Sequence, residues 1–216
     1  MQNVKLVWIT PDAEAVMGYC ARVSNPANQD NPDVAGLLRY CAKNGHWSVF
    51  EMASVCIEIN TTRDIARQIL RHRSFSFQEF SQRYADVDAL EQPLLPYREA
   101  RLQDHKNRQN SLPCDDDDAT DYWYAMQEDV HSLTQALYRE ALQMGIAKEQ
   151  ARALLPEGLT PSRMYASGTV RSWIHYLQSR TDPSTQKEHR LIAEQIYALL
   201  YAHIPTVLNA ALEDKQ

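Results

Sequence analysis

No apolar run in this 216-residue chain approaches the ~20 residues that a membrane span requires, so no contact with a bilayer core is expected. The opening MQNVKLVWIT has neither a basic start nor an apolar signal stretch, and a cytoplasmic location is expected. Cysteine is scarce. Cys20, Cys41, Cys56 and Cys114 are scattered with no C-x-x-C pair, which argues for reduced thiols and against a zinc site or a disulfide framework. The sequon Asn60-Thr61-Thr62 is set aside because nothing signals export. There is no G-x-G-x-x-G or Walker motif, so any dinucleotide would bind outside a Rossmann unit. Basic residues are outnumbered, 22 against 28 acids, and the net charge of -6 disfavours a nucleic-acid-binding surface. Lysine is the rarest basic residue, 6 against 16 arginines. Arginine suits planar, bidentate contact with phosphate or carboxylate. An acidic chain that concentrates arginine points to a small anionic ligand.

What is present reads as an ordinary globular domain. Hydrophobic residues make up 44% and charged residues 23%, which excludes a disordered chain, and the length suits one domain over residues 1–216. Residues 4–9 alternate as an opening strand. A helix is expected after Pro11-Asp12, with Val16, Tyr19, Cys20 and Val23 inward. Asn31 and Pro32 look like the cap and first residue of a second helix, with Val34, Leu37, Leu38 and Cys41 inward and Gly45 at its end. Residues 53–60 form the clearest strand, with Val55, Ile57 and Ile59 on one face. Thr61 or Thr62 can cap the helix that follows. Residues 85–118 read as a long polar connection with some local helix. The acid run 115–118 suits a helix N-terminus, the alternative being a metal site. From residue 119 to 144, Tyr122, Met126, Val130, Leu133, Leu137, Ala141 and Met144 form a near-heptad seam, for core packing or a subunit contact. Residues 159–168 are irregular and could be a strand; helices are expected over 170–180 and 185–203, the second capped by Ser184. Trp8, Trp47, Trp123 and Trp173 are read as core residues.

One stretch stands out. Arg63, Arg67 and Arg71 recur every four residues and so share a helix side, followed by His72, Arg73 and Arg83. Like charges at this density repel unless an anion sits among them; otherwise the face is simply solvated. Ser76, Glu79 and Ser81 interleave with the arginines and add hydrogen-bonding groups that suit a nucleotide. His72 between arginines would be a poor general base. Ser81 has no His/Asp partner nearby in sequence.

RHRSFSFQEFSQR at residues 71–83 resembles the signature of flavin-dependent thymidylate synthases, with Gln78 where that family commonly has Asn. GHWSVFE at 45–51, ARALLP at 151–156 and VRSWIHYLQSR at 170–180 resemble three further family blocks in the same order. The resemblance implies an α+β fold, a mostly antiparallel sheet flanked by helices, assembled as a homotetramer with sites shared between subunits. It implies FAD as cofactor, NADPH and 5,10-methylenetetrahydrofolate as co-substrates, and conversion of dUMP to dTMP. By resemblance, Ser48, Arg71, His72, Arg73, Glu79, Thr169, Val170, Arg171 and His175 would hold FAD. Gln68, Ile69, Leu70, Arg71, Glu79, Phe80, Ser81, Gln82, Arg83, Arg152 and Arg180 would line the dUMP pocket. Thr169 stands where relatives often carry Asn. Arg180 matches the residue that activates dUMP: a guanidinium at the uracil N3–O edge stabilises the charge that makes C5 nucleophilic. No cysteine falls in a ligand block, and no metal is implied. A module of the same fold that binds nucleotide and FAD without turnover is the alternative; an RNA-binding reading of the arginines is opposed by the acidic charge.

Overall fold

The computed structural model describes residues 3–90 and 97–212. Pro93 and Pro96 of the expected connection lie outside the described residues. The frame is a four-stranded sheet in the order β1 (Asn3–Ile9), β2 (Ser54–Thr62), β6 (Pro161–Thr169), β3 (Ser76–Glu79), every pair antiparallel. The alternation expected of β2 puts Val55, Ile57 and Ile59 at zero exposure, and Met164 and Ala166 of β6 join them. Their inner face is covered by α1 (Ala13–Ala21), α2 (Ala35–Lys43), α3 (Arg63–Ile69), α6 (Val170–Arg180), α7 (Lys187–Tyr201) and α8 (Pro205–Leu212), all contributing to one core. Non-directional burial of apolar surface is what makes this face cohere. The outer face is polar: the Tyr165 hydroxyl donates to Glu58, and Arg163 donates to Asn60.

Several expectations shift for identifiable reasons. In α1 the buried residues are Ala13, Met17 and Gly18, whereas Tyr19 and Val23 are exposed. The helix is rotated because Gly18 abuts Val34; a Cβ there would lie 2.3 Å from Val34 Cγ1. The start of α2 is delayed to Ala35, since the Asn31 side chain accepts from the Asp33 amide 2.9 Å away instead of capping, and the Arg22 guanidinium donates to the Asn31 and Asp33 carbonyls. Gly45, at φ +71°, ends that helix as expected. Thr62 occupies the N-cap position of α3 without bonding its amides; its hydroxyl donates to Asp64. The residues read as irregular form β6, paired on both sides.

The long connection carries a two-stranded ribbon, β4 (Arg101–Gln103) with β5 (Ser111–Pro113). Three-residue strands are too short to announce themselves by alternation. Next, Asp116 caps α4 (Asp117–Gln143) by accepting from Ala119 N at 3.0 Å. This is the expected use of the acid run, and no metal-holding group of acids, His and Cys occurs among the described residues. The seam of α4 is not core: Tyr122, Met126, Val130, Leu133, Leu137 and Met144 are all exposed. Of the four tryptophans only Trp173 is fully buried; Trp8 and Trp123 are exposed. A short α5 (Lys148–Ala151) leads toward β6. Ser184 does not cap α7, which starts after Gln186, and α8 was not foreseen. No helix among the described residues is long and apolar enough to cross a membrane.

Candidate active site

Strand β2 runs into α3 and strand β6 runs into α6, and because β2 and β6 are paired the two helices leave neighbouring strands. This brings the end of α3 and the Arg-His-Arg turn beside α6. Thr169 starts α6 by accepting from Ser172 N at 3.3 Å, and the Ser172 hydroxyl donates to the Ser74 carbonyl, tying the turn to the helix. The helix α3 ends at Ile69, so Arg71, His72 and Arg73 sit in a turn instead of on a helix face. His72 lies edge-on to Tyr176, with ring centres 4.9 Å apart.

Arg180, the last residue of α6, reaches back to this turn. Its Nε donates to His72 Nε2 at 2.9 Å. The contact requires a neutral imidazole with its lone pair on Nε2 and its proton on Nδ1. Burial, and then the Arg180 charge, push His72 down to about 4, so at neutral pH it is uncharged. Among the described residues no carboxylate lies within 4 Å of the guanidinium groups of Arg71, Arg73 or Arg180. Arg180 therefore meets a neutral ring, and Arg71 and Arg73, exposed on either side of His72 in the chain, carry no ion pair among the described residues.

The other arginines are spoken for. Arg63 lies 3.5 Å from Glu79, and Arg67 pairs with Glu157 at 2.6 Å, so protein carboxylates separate the charges that the sequence left facing one another. Glu79 also accepts from Ser162 at 2.7 Å. A second group lies at the start of α6: Arg171 pairs with Glu51, and the His175 ring stands 5.0 Å from Trp47, next to the exposed Ser48. His175 itself is exposed and bonds Gln178.

Ile69 and Val170 are buried in the core, so only their backbones can meet a ligand. The Val170 amide is already bonded to the Ala53 carbonyl at 2.9 Å. Leu70 and Phe80 are half-buried, Ser81 is exposed, and Gln82 is buried with its Nε2 unpartnered. Arg83 and Arg152 meet elsewhere, around Glu149: Arg83 Nε is 3.2 Å from its carboxylate and Arg152 bonds its carbonyl. Among the described residues no hydrogen bond or ion pair links that group to Arg180.

This geometry can be set beside known proteins. The family model described as "Thymidylate synthase complementing protein" matches residues 5–206. The chain belongs to that family. A flavin-dependent thymidylate synthase of Synechocystis sp. is 53% identical over 201 residues, covering 93% of this chain and 89% of its own. A probable flavin-dependent thymidylate synthase of Paramecium bursaria Chlorella virus 1 is 49% identical over 199 residues, covering 92% and 90%. Among solved structures, the UMP/dUMP methylase PolB of Streptomyces cacaoi bound with 5-Br dUMP matches with a TM-score of 0.81 at 28% identity, over 97% of this chain and 94% of that one.

Within this family member, sequence reasoning passed over the groups behind the site. Tyr176 and His189 are fully buried and hydrogen-bonded to each other at 3.1 Å. Their burial was legible: Trp173, Tyr176 and Leu177 share one face of α6, and His189 shares a face with Ile192, Ala193 and Ile196. A cavity of about 530 Å³ between the ribbon and the start of α7, lined by Arg98, Arg101, Gln186, Lys187 and Glu188 among others, had no sequence signal. Lys187 clamps the ribbon through Glu99 at 2.6 Å, and that contact first, then Arg101, holds the Glu99 carboxyl below its usual range.

Proposed function

We propose that the chain is a flavin-dependent thymidylate synthase that methylates dUMP to dTMP, with 5,10-methylenetetrahydrofolate as carbon donor and NADPH as reductant of FAD. The observation that carries this reading is the Arg180–His72 contact, which leaves an uncompensated guanidinium steered by a neutral ring. The donor set around it suits FAD: the unpaired Arg71 and Arg73 for its phosphates, His72 for contact with its rings, and the exposed Ser48 with Arg171 and His175 along the same helix. When bound, FAD supplies the hydride that reduces the transferred one-carbon group.

Arg180 acts on the pyrimidine. Because Nε is occupied by His72, the terminal nitrogens are left to meet the uracil N3–O edge. A guanidinium keeps its charge throughout, so negative charge developing on the ring is stabilised and C5 becomes nucleophilic. His72 neither gives nor takes a proton in this step; it aims the guanidinium. A cysteine nucleophile is not needed, and burial pushes the Cys41 and Cys56 thiols up, away from the reactive thiolate. Arg83 and Arg152 would bind the phosphate of dUMP. Within one chain no hydrogen bond or ion pair among the described residues links them to Arg180, which fits a site completed by neighbouring copies of a homotetramer, and the exposed apolar seam of α4 offers a contact surface for it.

The purified protein is expected to be yellow, with a flavin band near ~450 nm that changes on titration with dUMP. A colourless protein that takes up no added FAD would refute the reading.

A further inference from the structure

Behind the Arg180–His72 pair, five side chains form one continuous hydrogen-bonded row. The Tyr176 hydroxyl lies 3.1 Å from His189 Nε2, and His189 Nδ1 lies 3.2 Å from Gln68 Oε1. Gln68 Nε2 donates to Gln186 Oε1 at 2.7 Å, and Gln186 Nε2 donates to Glu188 at 2.9 Å. Gln186 and Glu188 line the cavity beside the ribbon, whereas His189 and Tyr176 are sealed in the core.

Donor and acceptor chemistry fixes every bond in this row. A carboxylate only accepts, so Gln186 must turn its amide nitrogen to Glu188 and its oxygen to Gln68. Gln68 then gives Nε2 to Gln186 and keeps Oε1 for His189. A neutral imidazole has one N–H, so His189 must carry it on Nδ1 and accept from the tyrosine on Nε2. Burial, and then the Arg180 charge, hold His189 near 3 and thus neutral. The Glu188 end sets the orientation of Gln68, and the tyrosine, whose hydroxyl can donate to His189 Nε2, accommodates the tautomer that this orientation requires. One hydrogen of Gln68 Nε2 is used by Gln186; the second has no partner among the described residues, and the side chain is half-buried.

We propose that His189 is a positioning residue that locks the Gln68 amide so that a hydrogen-bond donor, not an acceptor, is turned to the oxygen-rich nucleotide. This rests on the reading of Gln68 as part of the dUMP pocket. Without the imidazole, Oε1 loses its donor and the Gln186 bond alone holds the amide, so its free N–H is no longer fixed toward the nucleotide. The positioned donor belongs to binding, so its loss falls on KM for dUMP more than on kcat.

The test is a double-mutant cycle on the FAD-loaded enzyme with His189→Phe and Gln68→Ala. Each single variant is expected to raise KM for dUMP about tenfold while kcat stays within about twofold. Flavin content should be unchanged. The double variant should be no worse than Gln68→Ala alone, because the imidazole acts only through that amide. Tyr176→Phe, which removes one hydroxyl, should raise KM in the same direction by less, and with its own Gln68→Ala double it decides the matter if His189→Phe does not fold. Multiplying effects in the double variant, or an unchanged KM in His189→Phe, would overturn the assignment while leaving the synthase reading intact. A wild-type protein that turns over no dUMP would remove both.

Discussion

At the residue scale a charged group, Arg180, is held by an uncharged one, His72. A protonated histidine would repel Arg180; burial beside that guanidinium keeps His72 neutral even in mild acid, and so it can accept the Arg180 N–H. Arg180→Ala is expected to retain flavin but lose about 10²–10³-fold in kcat, the scale of removing one donor to transition-state charge. Full turnover in that variant, measured at saturating dUMP, would refute the role. The same histidines also set a pH dependence of stability. In the unfolded chain each protonates near 6.5, in the fold near 4 for His72 and near 3 for His189. As pH falls below 6.5 the unfolded state binds protons that the native state does not, so stability drops by up to about 1.4 kcal/mol per pH unit for each. His189→Phe should remove one of these slopes between about pH 6.5 and 3, read as the change of the urea midpoint with pH. An unaltered slope would mean that the buried ring is not titrating as described.

At the element scale the site depends on how closely α6, β6 and the Arg-His-Arg turn approach. Gly168 makes that approach possible: a Cβ there would stand 2.6 Å from the Phe75 ring, which packs at 4.6 Å from Trp173. Gly168→Ala is expected to cost on the order of 1–3 kcal/mol through displacement of Phe75, seen as a lowered denaturation midpoint with a changed environment of the Trp173 fluorescence. The ribbon is pinned by the Arg98 guanidinium on Asp64 at 2.7 Å, and by Arg98 backbone bonds to Gln127 and Trp123. What the sequence disclosed here follows from range. Strong local patterns such as β2, α4 and α6 were legible because periodicity within one segment is enough to place them. The buried face of α1 was misread because it is chosen by Val34, a residue outside that helix. The ribbon strands are too short to alternate. The arginine-bearing motif was legible as chemistry, Glu79 included, but Glu157 and Glu149, which pair with Arg67 and Arg83, became visible only when distant segments met.

At the scale of the whole molecule one chain supplies two half-constellations, Arg71 with His72 and Arg180, and Arg83 with Arg152. In the function proposed above, further copies of the chain unite them, joined through the exposed apolar seam of α4. The native mass is expected to be four times the 24.8 kDa of one chain. Replacing Leu133 and Leu137 by Glu should lower it in sedimentation and reduce turnover together, since charges on an apolar contact are costly to bury. Loss of the tetramer without loss of turnover would contradict shared sites. The central claim is that this arrangement of arginines serves flavin-driven methylation at uracil C5. Its most direct measurement is release of tritium from [5-³H]dUMP by the FAD-loaded protein. The expected release requires NADPH and methylenetetrahydrofolate and nearly disappears in Arg180→Ala. A flavin-bound protein that releases no tritium with both co-substrates present would contradict it.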